Sequence, residues 1–225
     1  MAETGNGRKD AEILKSVIFD LDGVIVSTDD LHFQAWKSMA DRNGIPFDRQ
    51  INNLLRGVSR AESLEIILRK SEKSYSEQQK QELMQYKNDI YVKLLDNLKH
   101  SDILPGVVEL INRLKKAGVK IAIGSSSKNT RKILQKIGLE TVFDAIADGT
   151  EIQHSKPDPE VFLVAARKLE TKPENCVVVE DAVAGIEAAK AGNMTAIAIG
   201  DAASSSLADY RVNTMMQIAE ILNLE

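Results

Sequence analysis

The sequence has very little cysteine and no long apolar run. Its one cysteine, Cys176, excludes an internal disulfide. It precedes the apolar residues Val177 to Val179, a pattern typical of a strand, so we expect a buried structural thiol rather than a nucleophile. The polar N-terminus lacks the apolar core of a signal peptide, and no later apolar stretch approaches the roughly 20 residues of a membrane span. These absences predict a protein of a reducing cytoplasm.

An excess of positive charge is also lacking. The 225 residues include 29 Lys and Arg against 33 Asp and Glu, which gives a net charge of −4. Proteins that bind nucleic acid or anionic membranes are usually basic, so we expect neither partner. Any anion that this protein binds must be met by local groups.

The spacing of strand-like segments predicts two lobes. After a first strand, Ile13–Phe19, the next comparable segment is Val119–Gly124, and about a hundred residues are too many for one crossover helix. Apolar residues in this interval recur at helical spacing. They are Leu64, Ile67, Leu68, Ile90, Tyr91, Leu94, Leu95 and Leu98. We predict a core of residues 1–27 and 101–225 with an inserted α-helical cap domain, 28–100.

From Pro105 onward, helix and strand patterns alternate. Further strands are predicted at Ala145–Ala147, Cys176–Val179 and Ala196–Ile199, and helices before Gly118, from Ser125–Ser127 toward Gly138, after Pro159, from Ala188 to Gly192 and from Met215 to Leu224. This repeated winding predicts an α/β fold with a Rossmann-like, doubly wound parallel sheet as its core.

Polar side chains follow the predicted strands at the points where the strands end. The stretch FDLDGV places Asp20 and Asp22 directly after the first strand, and Gly23 marks a turn. The carboxyl ends of parallel strands lie along one edge of a sheet, so these acids are expected close to the polar residues that follow the other strands. Those residues are Ser125, Ser127, Lys128, Asn129, Lys156, Glu180 and Asp181.

This set of residues suits phosphoryl transfer. Mg²⁺ prefers one or two carboxylates together with waters and a substrate phosphate. Ser125, ahead of a predicted helix, favours a phosphate, and Lys156 brings a compact positive charge. Each residue also has a structural interpretation, the aspartates as turn formers, Ser125 as a helix cap and Lys156 as a solvated charge. Four acids on one predicted edge favour the functional interpretation.

Four motifs in order resemble the signature motifs of the haloacid dehalogenase superfamily of phosphotransferases. They are DLDGV at 20–24, the motif at Ser125, Lys156-Pro157 and Glu180-Asp181. The resemblance implies that Asp20 is the nucleophile, which becomes an aspartyl phosphate, and that Asp22 is the general acid and base.

The same resemblance implies the groups that neutralise the phosphoryl charge. Ser125 and Lys156 would act with Mg²⁺ in catalysis. The metal ligands would be Asp20, the backbone carbonyl of Asp22, Asp181, and Glu180, the last either directly or through a metal-bound water.

The predicted cap resembles the caps of sugar phosphomutases in this superfamily, through HFQAW at 32–36, LRGVSR at 55–60 and KNDIY at 87–91. The substrate-binding residues that this implies are Thr28, His32, Trp36, Arg56, Gly57, Val58, Ser59, Arg60, Ser63, Lys87, Ser125, Ser127, Lys128, Asn129 and Lys156. Arg60, on a helix capped by Ser59 and Glu62, would hold a distal phosphate.

Some cap positions keep a second interpretation. His32 would orient Asp22 or the substrate. Trp36 suits a simple core position as well as a sugar pocket, and Lys87 suits a solvated helix face. Arg56 stands where lysine is expected in many relatives, which changes the geometry of the charge. We expect ordinary surface roles for His100 and His154.

The resemblance implies an enzyme that interconverts β-glucose 1-phosphate and glucose 6-phosphate through phospho-Asp20 and β-glucose 1,6-bisphosphate, which would also be its primer. The partner would be a small-molecule sugar phosphate, and the chain would be a monomer. A first alternative is a Mg²⁺-dependent sugar phosphatase of the same superfamily, in which water attacks phospho-Asp20. A second is a non-catalytic sugar-phosphate binding protein that keeps the fold.

Overall fold

A computed structural model of the protein describes residues 16–225. The predicted first strand is observed over Ser16–Phe19, and its predicted residues 13–15, like the rest of the predicted core segment before residue 16, lie outside the described residues. The other strands are β2 (Lys120–Gly124), β3 (Ala145–Ala147), β4 (Cys176–Glu180), β5 (Thr195–Ile199) and β6 (Tyr210–Val212), with β1 the first. The α-helices are α1 (Asp29–Asn43), α2 (Arg49–Asn53), α3 (Arg60–Leu68), α4 (Glu77–Leu95), α5 (Val107–Lys116), α6 (Thr130–Ile137), α7 (Glu160–Lys168), α8 (Val183–Ala191) and α9 (Met215–Ile221).

The strands of residues 16–225 form one parallel sheet in the order β3-β2-β1-β4-β5-β6. β1 lies between β2 and β4, with Phe19 opposite both Ile123 and Val179. This topology confirms the predicted Rossmann-like α/β core. β6 was not predicted, because only three residues pair and two of them, Tyr210 and Arg211, are exposed, which leaves no alternation to detect.

Apolar residues cover both faces of the sheet. Alternate residues of β1 show this: Val17 and Phe19 lie in one core cluster, and Ile18 lies in the other. The first cluster includes residues of α5, α6 and α9, and the second includes residues of α7 and α8. Because both faces are buried, the strands are almost continuously apolar in sequence. Cys176 is buried within the second cluster, as predicted.

Residues 28–100 form the four helices α1 to α4. Trp36, Met39, Leu64 and Ile67 pack into a third apolar cluster of their own, whereas Tyr91 belongs to the cluster that contains β1. The helical content of this segment agrees with the prediction, and its separation as a domain at residues 28 and 100 stays a prediction. Within residues 16–225 the structure contains no helix whose length and apolarity suffice to cross a bilayer.

The segment after β2 differs from the prediction. A helix was expected to open at Ser125–Ser127, but α6 begins at Thr130. The reason is local: Ser127 N–H donates to Ser125 Oγ and Asn129 N–H donates to Ser127 Oγ, both at 3.2 Å. Such serine turns compete with helix formation. Ser125 is therefore followed by a turn and not by a helix N-terminus.

The predicted capping box at the start of α3 is confirmed. Glu62 N–H donates to Ser59 Oγ at 3.2 Å, and Ser59 N–H donates to Glu62 Oε2 at 2.9 Å. This pairing fixes the direction of the first turn of α3, where Arg60 is the first helical residue.

Gly124, the last residue of β2, generates a stability prediction. A Cβ at this position would lie 2.7 Å from Phe162 Cδ1 and 3.0 Å from Ile18 Cγ2. Overpacking of a core costs about 1 to 3 kcal/mol, more than the ~0.4 to 1 kcal/mol gained by removing a glycine from the unfolded chain. We expect Gly124→Ala to lower the free energy of unfolding by about 1 to 2 kcal/mol in urea titrations. Phe162→Leu should recover part of this loss, and strictly additive effects would contradict the packing explanation.

Candidate active site

A buried lysine joins the ends of β1 and β4. Lys156 Nζ donates to Asp20 Oδ1 at 2.5 Å and to Glu180 Oε2 at 2.7 Å, and its side chain is only 1% exposed. Burial lowers the pKa of Lys156, but the charges of Asp20 and Glu180 more than offset this, so that its pKa lies above its ordinary value. The ammonium group is therefore a permanent positive charge. This excludes the solvated-charge interpretation of Lys156.

Asp181 adds a third carboxylate beside this pair. Carboxylate oxygens of Asp20, Glu180 and Asp181 lie within 4.8 Å of one another. Burial and then repulsion by Glu180 raise the pKa of Asp181, and burial also raises the pKa of Glu180. The cluster therefore contains three carboxyl groups and one lysine, so that its positive charge is less than the negative charge of three ionised acids.

Gly23 lets the following turn approach Asp181 closely. Its φ is +78°, a conformation that favours glycine, and a Cβ at this position would overlap the carboxylate of Asp181. The turn that begins at Asp22 is consequently held against the end of β4. The backbone that follows Asp22 therefore packs against the carboxylate of Asp181, one of the three clustered acids.

Asp22 has different neighbours from Asp20. Its Oδ1 accepts hydrogen bonds from Thr28 N–H, at 3.2 Å, and from the Thr28 hydroxyl. Its Oδ2 lies 3.9 Å from His32 Nε2. Burial raises the pKa of Asp22 to about 6, partly countered by the Thr28 hydrogen bond. A carboxyl group with this pKa exchanges a proton near neutral pH.

Lys87 is buried in the helical segment and does not lie on a solvated face. It is 2% exposed, its Nζ lies 2.9 Å from His32 Nδ1, and it sits over the rings of Trp36 and Tyr91 at 4.9 and 4.4 Å. Burial, followed by the charge of Arg60, lowers its pKa well below the ordinary value. Trp36 packs in the third apolar cluster and also lines the cleft, so a core position and a place in the pocket are both observed for it.

The loop before α3 contacts both the helical segment and residues that follow strands of the sheet. Arg56 Nε lies 3.5 Å from Asp29 Oδ1, and the Arg56 guanidinium also pairs with Asp201, which follows β5. A Cβ on Gly57 would lie 3.1 Å from the Cβ of Ala182. The loop thus rests on the turn between β4 and α8. Arg56, predicted as a substrate contact, has one ion-pair partner in the helical segment and another in the segment after β5.

A cleft of about 1340 Å³ lies between the helical segment and the sheet. Its lining includes the predicted residues Asp20, Asp22, His32, Trp36, Arg56, Gly57, Val58, Ser59, Arg60, Ser63, Lys87, Ser125, Ser127, Lys128, Asn129, Lys156 and Asp181. Thr28 and Glu180 are not part of the lining; they lie behind Asp22 and Lys156 and bond to them. Asn129 Nδ2 also donates to Asn88 Oδ1 of α4 at 3.1 Å.

Sequence reasoning missed three polar residues of this region. Asp29 and Asn52 line the cleft and bond to each other, with Asn52 Nδ2 3.0 Å from Asp29 Oδ1. Tyr91 hydrogen-bonds to Thr28 at 3.0 Å. Tyr91 falls within an apolar helical stripe, so the sequence pattern predicted only a core position for it. Its hydroxyl group was the one feature that could have indicated a polar contact. His154, expected to have an ordinary surface role, is exposed at the rim of the cleft.

Comparison with known proteins agrees with this geometry. Residues 17–199 match the family of haloacid dehalogenase-like hydrolases. The chain belongs to this family. The family resemblance inferred from the four motifs is thus confirmed.

Two curated relatives and one solved structure are similar over most of the chain. A β-phosphoglucomutase of Bacillus subtilis is 47% identical over 189 residues, 83% of this chain and 84% of the relative. A phosphorylated carbohydrates phosphatase of Thermotoga maritima is 32% identical over 82% of this chain and 84% of the relative. The crystal structure of a β-phosphoglucomutase from Clostridium difficile has a TM-score of 0.87 and 38% identity, covering 93% of this chain and 97% of that one.

The buried charge cluster leads to a stability prediction. Lys156→Met keeps the length of the side chain but leaves Asp20 and Glu180 buried without their cation. Breaking a buried ion pair in this way costs about 3 to 5 kcal/mol. We expect that loss in the free energy of unfolding, measured in metal-free buffer.

Lys190 offers the matched control for this variant. Its pair with Asp209 is partly exposed, at 34% and 36% of the two side chains, so Lys190→Met should cost at most about 1 kcal/mol. Equal losses for the two variants would show that the Lys156 cluster is not the stabilising element we describe.

Proposed function

We propose that the protein is a phosphomutase that interconverts β-glucose 1-phosphate and glucose 6-phosphate. The observation that carries this proposal is a single cleft with cationic groups at two places. Lys156 lies beside Asp20 at the sheet edge, and Arg60 lies at the N-terminus of α3 in the helical segment. A substrate with one phosphate near Asp20 and another near Arg60 matches a sugar bisphosphate. The likeness to β-phosphoglucomutases supports this choice of sugar.

The helical segment and the part of the chain that contains the sheet are the two domains of the enzyme in this proposal. Residues 28–100 form a cap that closes on a core made of 1–27 and 101–225. Burial of Lys87 and the contacts of Arg56 with Asp29 and Asp201 support closure over the substrate. Closure excludes water, so that a sugar hydroxyl receives the phosphoryl group. We propose a monomer as the working unit, because every predicted site residue comes from one chain.

The residues at the sheet edge fit a Mg²⁺ ion. Oxygen donors from three carboxylates and a nearby backbone turn are the ligands that this hard cation prefers. Burial raises the pKa values of Glu180 and Asp181, and repulsion by Glu180 and Asp20 raises the pKa of Asp181 further, so a bound cation would favour the ionised forms of both acids. Asp20, the carbonyl of Asp22, Asp181 and Glu180 would hold the ion. When bound, Mg²⁺ neutralises charge on the transferring phosphoryl group.

Asp20 and Asp22 divide the chemistry between them. Lys156 holds Oδ1 of Asp20, so Oδ2 attacks phosphorus; the bond from phosphorus to the leaving oxygen breaks, and Asp22 gives that oxygen a proton. In the transfer back to the sugar, the other sugar hydroxyl attacks the phosphorus of phospho-Asp20, Asp22 takes the proton of that hydroxyl, and the bond from phosphorus to Asp20 breaks to restore the carboxylate. A bisphosphate both primes Asp20 and forms as the intermediate. Ser125 and Lys156 stabilise the phosphoryl oxygens, while His32 and the loop residues position the sugar.

A sugar phosphatase is the second candidate. The likeness to the Thermotoga maritima phosphatase favours it, and the same Asp20 and Asp22 would serve, with water in place of the sugar hydroxyl. Lys87 and Trp36 are buried beside His32, and this partly enclosed side of the cleft favours the mutase. A non-catalytic sugar-phosphate binding protein would need neither the Lys156–Asp20 pair nor the raised pKa of Asp22.

The first test is product analysis. The protein is incubated with β-glucose 1-phosphate, Mg²⁺ and a trace of β-glucose 1,6-bisphosphate, and glucose 6-phosphate and inorganic phosphate are measured together. We expect glucose 6-phosphate to form much faster than phosphate. Asp20→Asn should remove turnover, because the amide cannot be phosphorylated, whereas Asp96→Asn on the surface should keep it. Fast phosphate release from several sugar phosphates, without isomerisation, would establish the phosphatase instead.

The second test concerns the metal and needs no turnover. Mg²⁺ at about 100 times its Kd should stabilise the protein by about 2.7 kcal/mol, which is visible as a rise in Tm. Asp181→Asn removes one ligand and should abolish most of that rise. Asp96, in an exposed cluster with Lys132 and Lys136, provides the control, since Asp96→Asn should leave it intact. An unchanged rise in the Asp181 variant would place the ion elsewhere.

A further inference from the structure

Tyr91 connects α4 to Thr28, the residue before α1, through its hydroxyl group. It is completely buried on α4, and its ring lies 4.1 Å from the ring of His32. Its hydroxyl lies 3.0 Å from Thr28 Oγ1. Tyr91 is not among the residues that line the cleft, so any effect on the reaction passes through a neighbour.

Thr28 uses its hydroxyl in an unusual way. It is the residue immediately before α1, where threonine normally accepts a hydrogen bond from a backbone N–H of the first helical turn. Within the described part of the chain, the Thr28 side chain makes no such capping bond. Its hydroxyl is directed to Asp22 Oδ1, the atom that also accepts the Thr28 backbone N–H. The Thr28 hydroxyl therefore does not cap the first turn of α1 but hydrogen-bonds to Asp22.

Counting hydrogens fixes the direction of this chain of hydrogen bonds. A threonine hydroxyl has one hydrogen, and an ionised carboxylate only accepts. The hydrogen of Thr28 therefore goes to Asp22, and Tyr91 must donate to Thr28 Oγ1. Two donors from Thr28 hold Oδ1 of Asp22, which leaves Oδ2, 3.9 Å from His32 Nε2, as the oxygen that gives and takes a proton.

We infer that Tyr91 is a positioning residue for proton transfer, whose hydroxyl orients Asp22 through Thr28 and reserves Oδ2 for the proton. The inference rests on the proposed function, because it takes Asp22 as the general acid and base. It adds a residue of the helical segment that touches neither the substrate cleft nor Asp22. Chains of hydrogen bonds polarise one another, so loss of the first donor weakens the second bond.

Tyr91→Phe tests the inference by removing one oxygen atom and keeping the ring on His32. Loss of one hydrogen bond of this kind should lower kcat for glucose 6-phosphate formation about tenfold, with KM changed by less than about twofold. Tyr75→Phe is the matched control, because the buried Tyr75 hydroxyl has no hydrogen-bond partner in the described chain and Tyr75 lies away from the cleft. Unchanged kcat in Tyr91→Phe, with the mutase active, would overturn the inference.

A double-mutant cycle separates positioning from general loosening of the fold. Thr28→Val removes the hydroxyl that receives the Tyr91 hydrogen bond, so Tyr91→Phe should then have less than about a twofold further effect on kcat. In a Thr28→Ser background, which keeps the hydroxyl, the tenfold effect should return. An equal tenfold loss in the Thr28→Val background would show that Tyr91 acts by another route.

Failure of the proposed function gives a different result. If the unmodified protein forms no glucose 6-phosphate but releases phosphate, the mutase proposal fails. The same double-mutant cycle is then measured on phosphate release, because Asp22 would also protonate the leaving oxygen in that reaction. Non-additive effects of Tyr91→Phe and Thr28→Val would then still support the inference, and additive effects would reject it. Melting temperatures of all variants verify that each has folded.

Discussion

The ion pair of Lys156 with Asp20 and Glu180 is the interaction on which the site depends. Charged groups are costly to bury unless they are paired, and these three are almost completely inaccessible. The sheet makes the pairing possible, because β1 and β4 are adjacent and both end at the same edge. A lysine delivered by the segment before α7 then fixes one oxygen of Asp20. The nucleophile we propose is thereby held in one orientation by the fold itself.

The same strand ending produces two acids with separate properties. The carboxylate of Asp20 accepts a hydrogen bond from the buried ammonium group of Lys156. Asp22, two residues later, has no lysine beside its carboxylate at hydrogen-bond distance in the described structure and meets Thr28 and His32 instead. Burial therefore raises its pKa to about 6. Environments that differ in this way allow one carboxylate to attack while the other carries the proton.

The sequence allowed the residues at the sheet edge to be predicted, but not the contacts of the helical segment, and both outcomes have physical reasons. Strand endings follow from the apolar runs, and parallel strands bring their ends together, so the places of Asp20, Lys156 and Asp181 could be inferred without coordinates. The delayed start of α6 depends on serine side chains bonding to nearby backbone, which competes closely with helix formation. The Arg56–Asp201 pair joins residues far apart in the chain, and no periodicity reports such a contact.

Tyr91 shows why an apolar sequence pattern can fail to indicate a polar contact of one of its residues. Its ring satisfies the helical stripe of α4 and packs in the cluster that contains β1, so hydrophobic periodicity accounts for it completely. Phenylalanine would satisfy the same stripe. A buried tyrosine hydroxyl, however, needs a partner, and here the partner is a helix-cap threonine that has turned to Asp22. Because α1 follows this threonine directly, the closure that we propose for the helical segment would change the donors on Asp22 together with the shape of the cleft. In the proposed mechanism, proton transfer and closure would thus be linked through one short chain of hydroxyl groups.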